Sequence, residues 1–171
     1  MVTLPDLEQR LKFSLEEGGR VADRASPPLA GLRQQWHGVR QERRDKLQEL
    51  TRRYASFLQD SVIAQRHGRP VLAVKAGAVG QVSGQVHDSS ASGNTVFIEP
   101  RSVLTMGNKL VDIEARIRKE EQRVLSELSS LVAQDEPILN SLVEILLALD
   151  LALARGRYGR WLGAVPPNLS D

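Results

Sequence analysis

The chain has 171 residues, of which 41% are hydrophobic and 26% charged but only 4% aromatic, a balance that can fill a core, disfavours a compact sandwich and leans toward long helices with narrow apolar seams. Zero cysteines exclude a disulfide scaffold, a cysteine-based zinc site and a thiol nucleophile, and fit a reducing compartment. With 23 basic against 21 acidic residues the net charge is only +2, so the chain is no generic polycation.

In the first segment, Leu4, Leu7, Leu11 and Leu15 recur at helical spacing, with Pro5 near the first turn, where its missing N–H costs nothing. Glu16-Glu17-Gly18-Gly19 closes it. Ser26 before Pro27 reads as an N-cap, and from there Leu29, Leu32, Trp36, Val39, Leu47, Leu50, Tyr54 and Phe57 alternate in steps of three and four, broken at Arg43. Such a seam makes a rod of about 45 Å at about 1.5 Å per residue.

After Asp60 the period changes to short β-prone runs at 62–64, 71–74, 82–86 and 95–98, separated by Gly, Pro, Ser and Asn. Three or four antiparallel strands are predicted in residues 62–101, too small a sheet to stand without a base. Pro100 ends it. A second long helix over 102–134 has the seam Met106, Leu110, Ile113, Ile117, Val124, Leu128 and Leu131, broken at Glu121, and a more apolar helix follows over 135–171, buried on more than one side and ending in a polar tail.

The prediction is therefore a mainly α chain with a small β subdomain: helices over 1–61, the β-rich region over 62–101, a returning helix over 102–134, and a core helix with its tail over 135–171. Folding the two seams into an antiparallel hairpin pairs Phe57 with Met106, Tyr54 with Leu110, Leu50 with Ile113, Leu47 with Ile117 and Val39 with Val124. In that register the two charged breaks, Arg43 and Glu121, meet as a pair that sets alignment more than stability.

Charge is uneven along the chain. Residues 29–59 carry Arg33, Arg40, Arg43, Arg44, Lys46, Arg52 and Arg53 against Glu42, Asp45 and Glu49, whereas 135–150 carry only acids. That pattern fits either two solvated faces that attract each other or a nucleic-acid footprint. No G-x-x-x-x-G-K-[ST] occurs, so the P-loop phosphate cradle is missing, and Ser89, Ser90 and Ser92 do not form G-x-S-x-G. His87 and Asp88, as neighbours on a strand, point to opposite faces. No catalytic residue and no metal ligand is expected. Among the cations of the β region, Arg66, Arg69 and Lys75 are the candidate nucleic-acid contacts, because a few cations on an exposed tip position a protein on phosphates without reading sequence. No run approaches about 20 apolar residues, and Pro5 and Asp6 break any secretory apolar core, so a soluble, cytoplasmic protein with no membrane partner is expected.

Three runs, Gly68-Arg69-Pro70-Val71-Leu72-Ala73-Val74-Lys75-Ala76, Gly84-Gln85-Val86-His87-Asp88-Ser89-Ser90-Ala91-Ser92-Gly93-Asn94-Thr95-Val96-Phe97-Ile98-Glu99-Pro100 and Asn108-Lys109-Leu110, resemble the second bacterial MutS paralogue family, as do Gly19 to Pro27 and Leu147-Ala148-Leu149-Asp150 with Ala154-Arg155. The resemblance implies lever helices carrying a β clamp, in a homodimer whose two arms enclose DNA. It also implies that the ATPase domain, with its ATP and Mg, and the Smr nuclease domain lie after Asp171, with more core before Met1. This chain would then be a non-catalytic internal fragment without a cofactor of its own. The family is linked to suppression of recombination through branched DNA and to rescue of collided ribosomes, which would add rRNA as a partner. A purely structural arm, with binding done elsewhere, stays open beside the clamp reading.

Overall fold

The computed structural model describes residues 4–164, so the polar tail predicted around Pro166 and Pro167 lies outside the described residues. Four helices and four strands follow in the order α1 (Pro5–Ser14), α2 (Pro27–Arg53), β1 (Leu58–Arg66), β2 (Arg69–Lys75), β3 (Gly84–Ser89), β4 (Thr95–Pro100), α3 (Arg101–Gln134) and α4 (Glu136–Trp161). The chain is mainly α with one small antiparallel sheet, as its periodicities require. It resolves into two units, 21–124 and 4–20 with 125–164.

In the first unit, Ser26 caps α2 by accepting from the Leu29 N–H at 3.3 Å, and Pro follows at the first helical positions. The strands pair in the order β1-β2-β4-β3, every neighbour antiparallel. Leu72, Val74 and Ile98 point from the sheet into a cluster with Leu47 and Leu50 of α2 and Val103 of α3. That is the base a four-stranded sheet needs, and each such side chain contributes about 1.5–3 kcal/mol on full burial. The alternate residues Val71, Ala73 and Phe97 form a second, smaller cluster with Ala64.

The two long helices are antiparallel, but their register differs from the predicted one. Val39 packs with Leu110 and Ile113, and the Trp36 indole N–H donates to Glu114 at 2.9 Å. Glu121 accepts from Arg33 at 2.6 Å instead of meeting Arg43, whose guanidinium lies beside Gly107, two heptads from Glu121 along α3. The physical reason is that a seam of alternating three and four repeats every seven residues and accepts any heptad slip equally well. Polar partners and the turn decide between slips. Here α2 stops at Arg53 and α3 starts at Arg101, directly against the sheet, so Phe57 and Tyr54 are not available to extend the helical seam.

In the second unit, Leu11 and Leu15 of the α1 region, Leu125, Leu128 and Val132 of α3 and Leu139 of α4 line an open apolar groove of about 570 Å³. α4 was predicted to be buried on several sides, yet no residue of it is buried, and Leu147 is 64% and Trp161 78% exposed. Apolar residues all round the helix, with no single stripe, leave most of them beyond the reach of any one neighbouring element. By length and composition α4 is long and apolar enough to cross a membrane, with a mean hydropathy of 1.8 over its most apolar stretch, although Glu144 and Asp150 interrupt its apolar run.

The register carries a direct prediction. Arg33 and Glu121 are expected to couple by about 0.5–3 kcal/mol in a double-mutant cycle of unfolding free energies, whereas Arg43 and Glu121 add independently to within about 0.5 kcal/mol. Coupling between Arg43 and Glu121 in place of Arg33 would restore the sequence-derived register.

Candidate functional site

The β1–β2 hairpin turns on His67 and Gly68, both at positive φ (51° and 74°), the pair of left-handed residues that a two-residue type I′ turn needs. It makes Arg66 and Arg69 cross-strand partners. Their side chains go separate ways. Arg66 lies 3.8 Å over the centroid of the Phe97 ring and reaches Asp88 Oδ2 with its Nε at 3.2 Å, closing the small apolar cluster beneath it. Lys75 sits at the opposite end of β2, about 20 Å away at about 3.3 Å per residue, and donates to the Ser56 carbonyl at 3.1 Å. The structure therefore does not gather Arg66, Arg69 and Lys75 into one basic patch.

Arg69 belongs to a different assembly. Its Nη2 donates to Asn108 Oδ1 at 3.2 Å and its Nη1 stands 3.5 Å from Oε1 of Glu99, a carboxylate with no exposed surface. The other oxygen of Glu99 meets His87 Nε2 at 2.8 Å. β3 is irregular between Val86 and Asp88, so His87 is an extra residue with no partner on β4. Such a bulge re-aims a side chain, here turning His87 to Glu99 while Asp88 turns to Arg66. On α3 the assembly abuts Gly107, where a Cβ would lie 3.1 Å from Arg69 Nη1, 3.5 Å from Glu99 Oε1 and 3.9 Å from Arg43 Nη1. The charge that breaks the α2 seam thus faces this buried carboxylate's surroundings.

Reading the sequence for chemistry missed Glu99 and Asn108 and set His87 aside. The available signal was that Arg69, His87, Glu99 and Asn108 all stand within the runs that carry the family resemblance, although they are far apart in the chain. Among the described residues no three His, Asp or Glu side chains gather as a metal site would require.

A second polar assembly joins the start of α2 to α3. Arg33 donates to the Val21 carbonyl at 3.0 Å, to Asp23 and to Glu121. Burial opposes its charge, but the hydrogen bonds it donates to Asp23 and Glu121 outweigh that, and the guanidinium pKa is raised. Beside it, Glu120 accepts from Arg123 at 2.7 Å and from the Ser26 hydroxyl at 2.6 Å. These bonds, Arg123 first, hold its pKa down from the usual 4.5 to about 2.

Along α2, Arg40 lies 4.9 Å over the Trp36 ring and Arg53 5.8 Å over Tyr54. Exposed Arg44 and Arg52 have no acidic partner within ion-pair distance among the described residues. These cations can reach an external anion without surrendering an internal one.

No family model matches the chain. Curated proteins do: it is 47% identical over 97% of its length to "Endonuclease MutS2" of Synechocystis sp., 40% over 99% to that of Pelotomaculum thermopropionicum and 38% over 100% to that of Halalkalibacterium halodurans. The chain spans about a fifth of the length of these relatives, 20% to 22%.

Two predictions follow from the geometry. Gly107→Ala should gain about 1 kcal/mol in helix propensity, yet thermal unfolding is expected to show a net loss of about 1–3 kcal/mol, because Arg69, held by Asn108 and Glu99, cannot yield to the new methyl group. A stabilised variant would mean that the assembly is loose. Because the Glu120 pKa is lower in the folded chain, its contribution is complete above about pH 4.5 and disappears as pH falls toward 2. The stability advantage of the parent over Glu120→Gln should accordingly shrink across that window and stay flat above it, as followed by melting temperature against pH.

Proposed function

The chain belongs to the MutS2 family, and from that membership we propose that it is the lever and clamp region of such a protein, contacting nucleic acid without catalysing its chemistry. The observation that supports this most is the architecture itself: an antiparallel pair of long helices bearing a small sheet at its turn, tied to α3 by the Arg69–Asn108 bond beside a buried carboxylate. The endonuclease activity in the relatives' name, and the ATP, Mg and Smr nuclease chemistry implied by the resemblance, are assigned to the other four-fifths of the parent protein. The parent is read as a homodimer acting on DNA, in recombination suppression or, through rRNA, in rescue of collided ribosomes.

Within this reading the lever supplies the contact surface. Arg66 and Arg69 would have to leave Asp88 and Glu99 to bind phosphate, whereas Arg40, Arg44 and Arg52 are free to do so. Arg40 and Arg44, four residues apart, share one face of α2. The purely structural arm is the second reading, favoured by the internal pairing of the tip cations. The apolar surface of α4, divided by Glu144 and Asp150, is read as a protein-packing surface and not as a membrane anchor.

A salt titration tests the proposal. The chain is expected to bind duplex and branched DNA with Kd near ~10⁻⁴–10⁻⁶ M and little sequence preference. Changing Arg40, Arg44 and Arg52 to Ala should flatten the log–log salt slope by about 2–3, at about 0.9 per phosphate contact, while changing Arg66 and Lys75 to Ala leaves the slope within about 1 of the parent's. The reverse outcome moves the contact to the sheet, and no salt-dependent binding at all supports the structural arm.

A further inference from the structure

We infer that Glu99 is a positioning residue: by holding Arg69 where it bonds Asn108 of α3, it fixes the angle at which the sheet is held on the helical hairpin. This deepens the clamp reading, because an arm that closes on a ligand must present its tip in a defined direction, but the geometry stands apart from any ligand.

Apolar burial alone does not set such an angle. The Leu47, Leu50, Leu72, Val74, Ile98 and Val103 cluster holds the sheet down, but hydrophobic attraction is non-directional and the contact could swivel. The polar assembly is directional and joins separate elements. Glu99 on β4 and His87 on the bulge of β3 hold the Arg69 guanidinium of β2 in place within the sheet, and the bond of Arg69 to Asn108 on α3 is the contact that a rotation of the sheet against α3 stretches. Gly107 lets the sheet approach this closely.

Arg69 Nη1 and Glu99 Oε1, which face each other at 3.5 Å, are both buried without a hydrogen bond, so the pair is held by charge while Arg69 Nη2 bonds Asn108. Turning of the sheet away from α3 would cost Arg69 its bond to Asn108, while the Arg69–Glu99 pair travels with the sheet. Buried charge pairs add little net stability but penalise alternatives strongly, which suits a device that selects one orientation.

The test uses two labels, which the cysteine-free chain accepts without background. Spin labels at Ser92→Cys, on the exposed β3–β4 loop, and Gln48→Cys, on the exposed face of α2, report the sheet-to-hairpin distance in the free chain without nucleic acid. The parent is expected to give one narrow distribution. Glu99→Gln should broaden or displace it by several ångströms while circular dichroism and strand amide protection are kept, and Glu99→Asp should recover part of the narrow component. Because Glu99→Gln leaves the buried Nη1 of Arg69 without its anion and can unfold the sheet, the double change Arg69→Gln with Glu99→Gln removes both charges together. It is expected to fold and still give the broadened distribution. A folded double variant with the parent's narrow distribution overturns the inference, since apolar packing would then suffice. The distances do not depend on nucleic-acid binding, so failure of the clamp reading in the salt titration leaves this result standing, and the converse also holds.

Discussion

The placement of one carboxylate, that of Glu99, determines how the two kinds of structure in this chain are joined. A four-stranded sheet with exposed edges cannot fold by itself, and a two-helix seam cannot define its own alignment. Burying Glu99 between Arg69 and His87, against Gly107, with Arg69 bonded on to Asn108, resolves both difficulties at the same place. The sheet gains a directional contact to α3, the Arg69–Asn108 bond, and the helices gain a fixed end at which the heptad count starts. Removing water from a carboxylate is costly unless its partners are in place. The sheet, the bulge at His87 and the glycine on α3 therefore have to form together.

From that junction the register runs outward along the hairpin. Val39 against Leu110 and Ile113, Trp36 on Glu114, and Arg33 on Glu121 are successive contacts at growing distance from the sheet. At the start of α2 the pattern ends in Ser26, which caps its own helix and donates to Glu120. Each polar contact is modest in energy, but a heptad slip would break all of them together. The charged residues thus do on this surface what apolar spacing cannot, which is to distinguish one alignment from the next.

The helices and the four strands were legible from period alone, because an apolar step of three and four and a run of β-branched residues bounded by Gly and Pro have few other solutions. The alignment of the helices was not. Arg43 and Glu121 are both breaks in apolar seams, and their opposite charges made a pairing that sequence spacing supports as well as the true partners. What spacing does not contain is the interior of the sheet: Arg43 faces the surroundings of Glu99, a residue whose burial depends on strands it is distant from in sequence. For the same reason Arg66, Arg69 and Lys75 read as an exposed basic tip, while two of the three are committed to Asp88 and Glu99 and the third stands at the other end of β2. The apolar richness of α4 was legible, but its exposure was not, since sequence composition does not say which surface covers a helix.

Native-state hydrogen exchange tests most directly whether the buried carboxylate makes the sheet and the helical hairpin one cooperative structure. Amides of β2 and β4 and those of α3 from Val103 to Leu110 should exchange with one common opening free energy and one common denaturant dependence, as a single unfolding unit does. Strand amides that open at a clearly lower free energy, while the facing turns of α3 stay protected, would show that the sheet is an independent appendage and contradict the account.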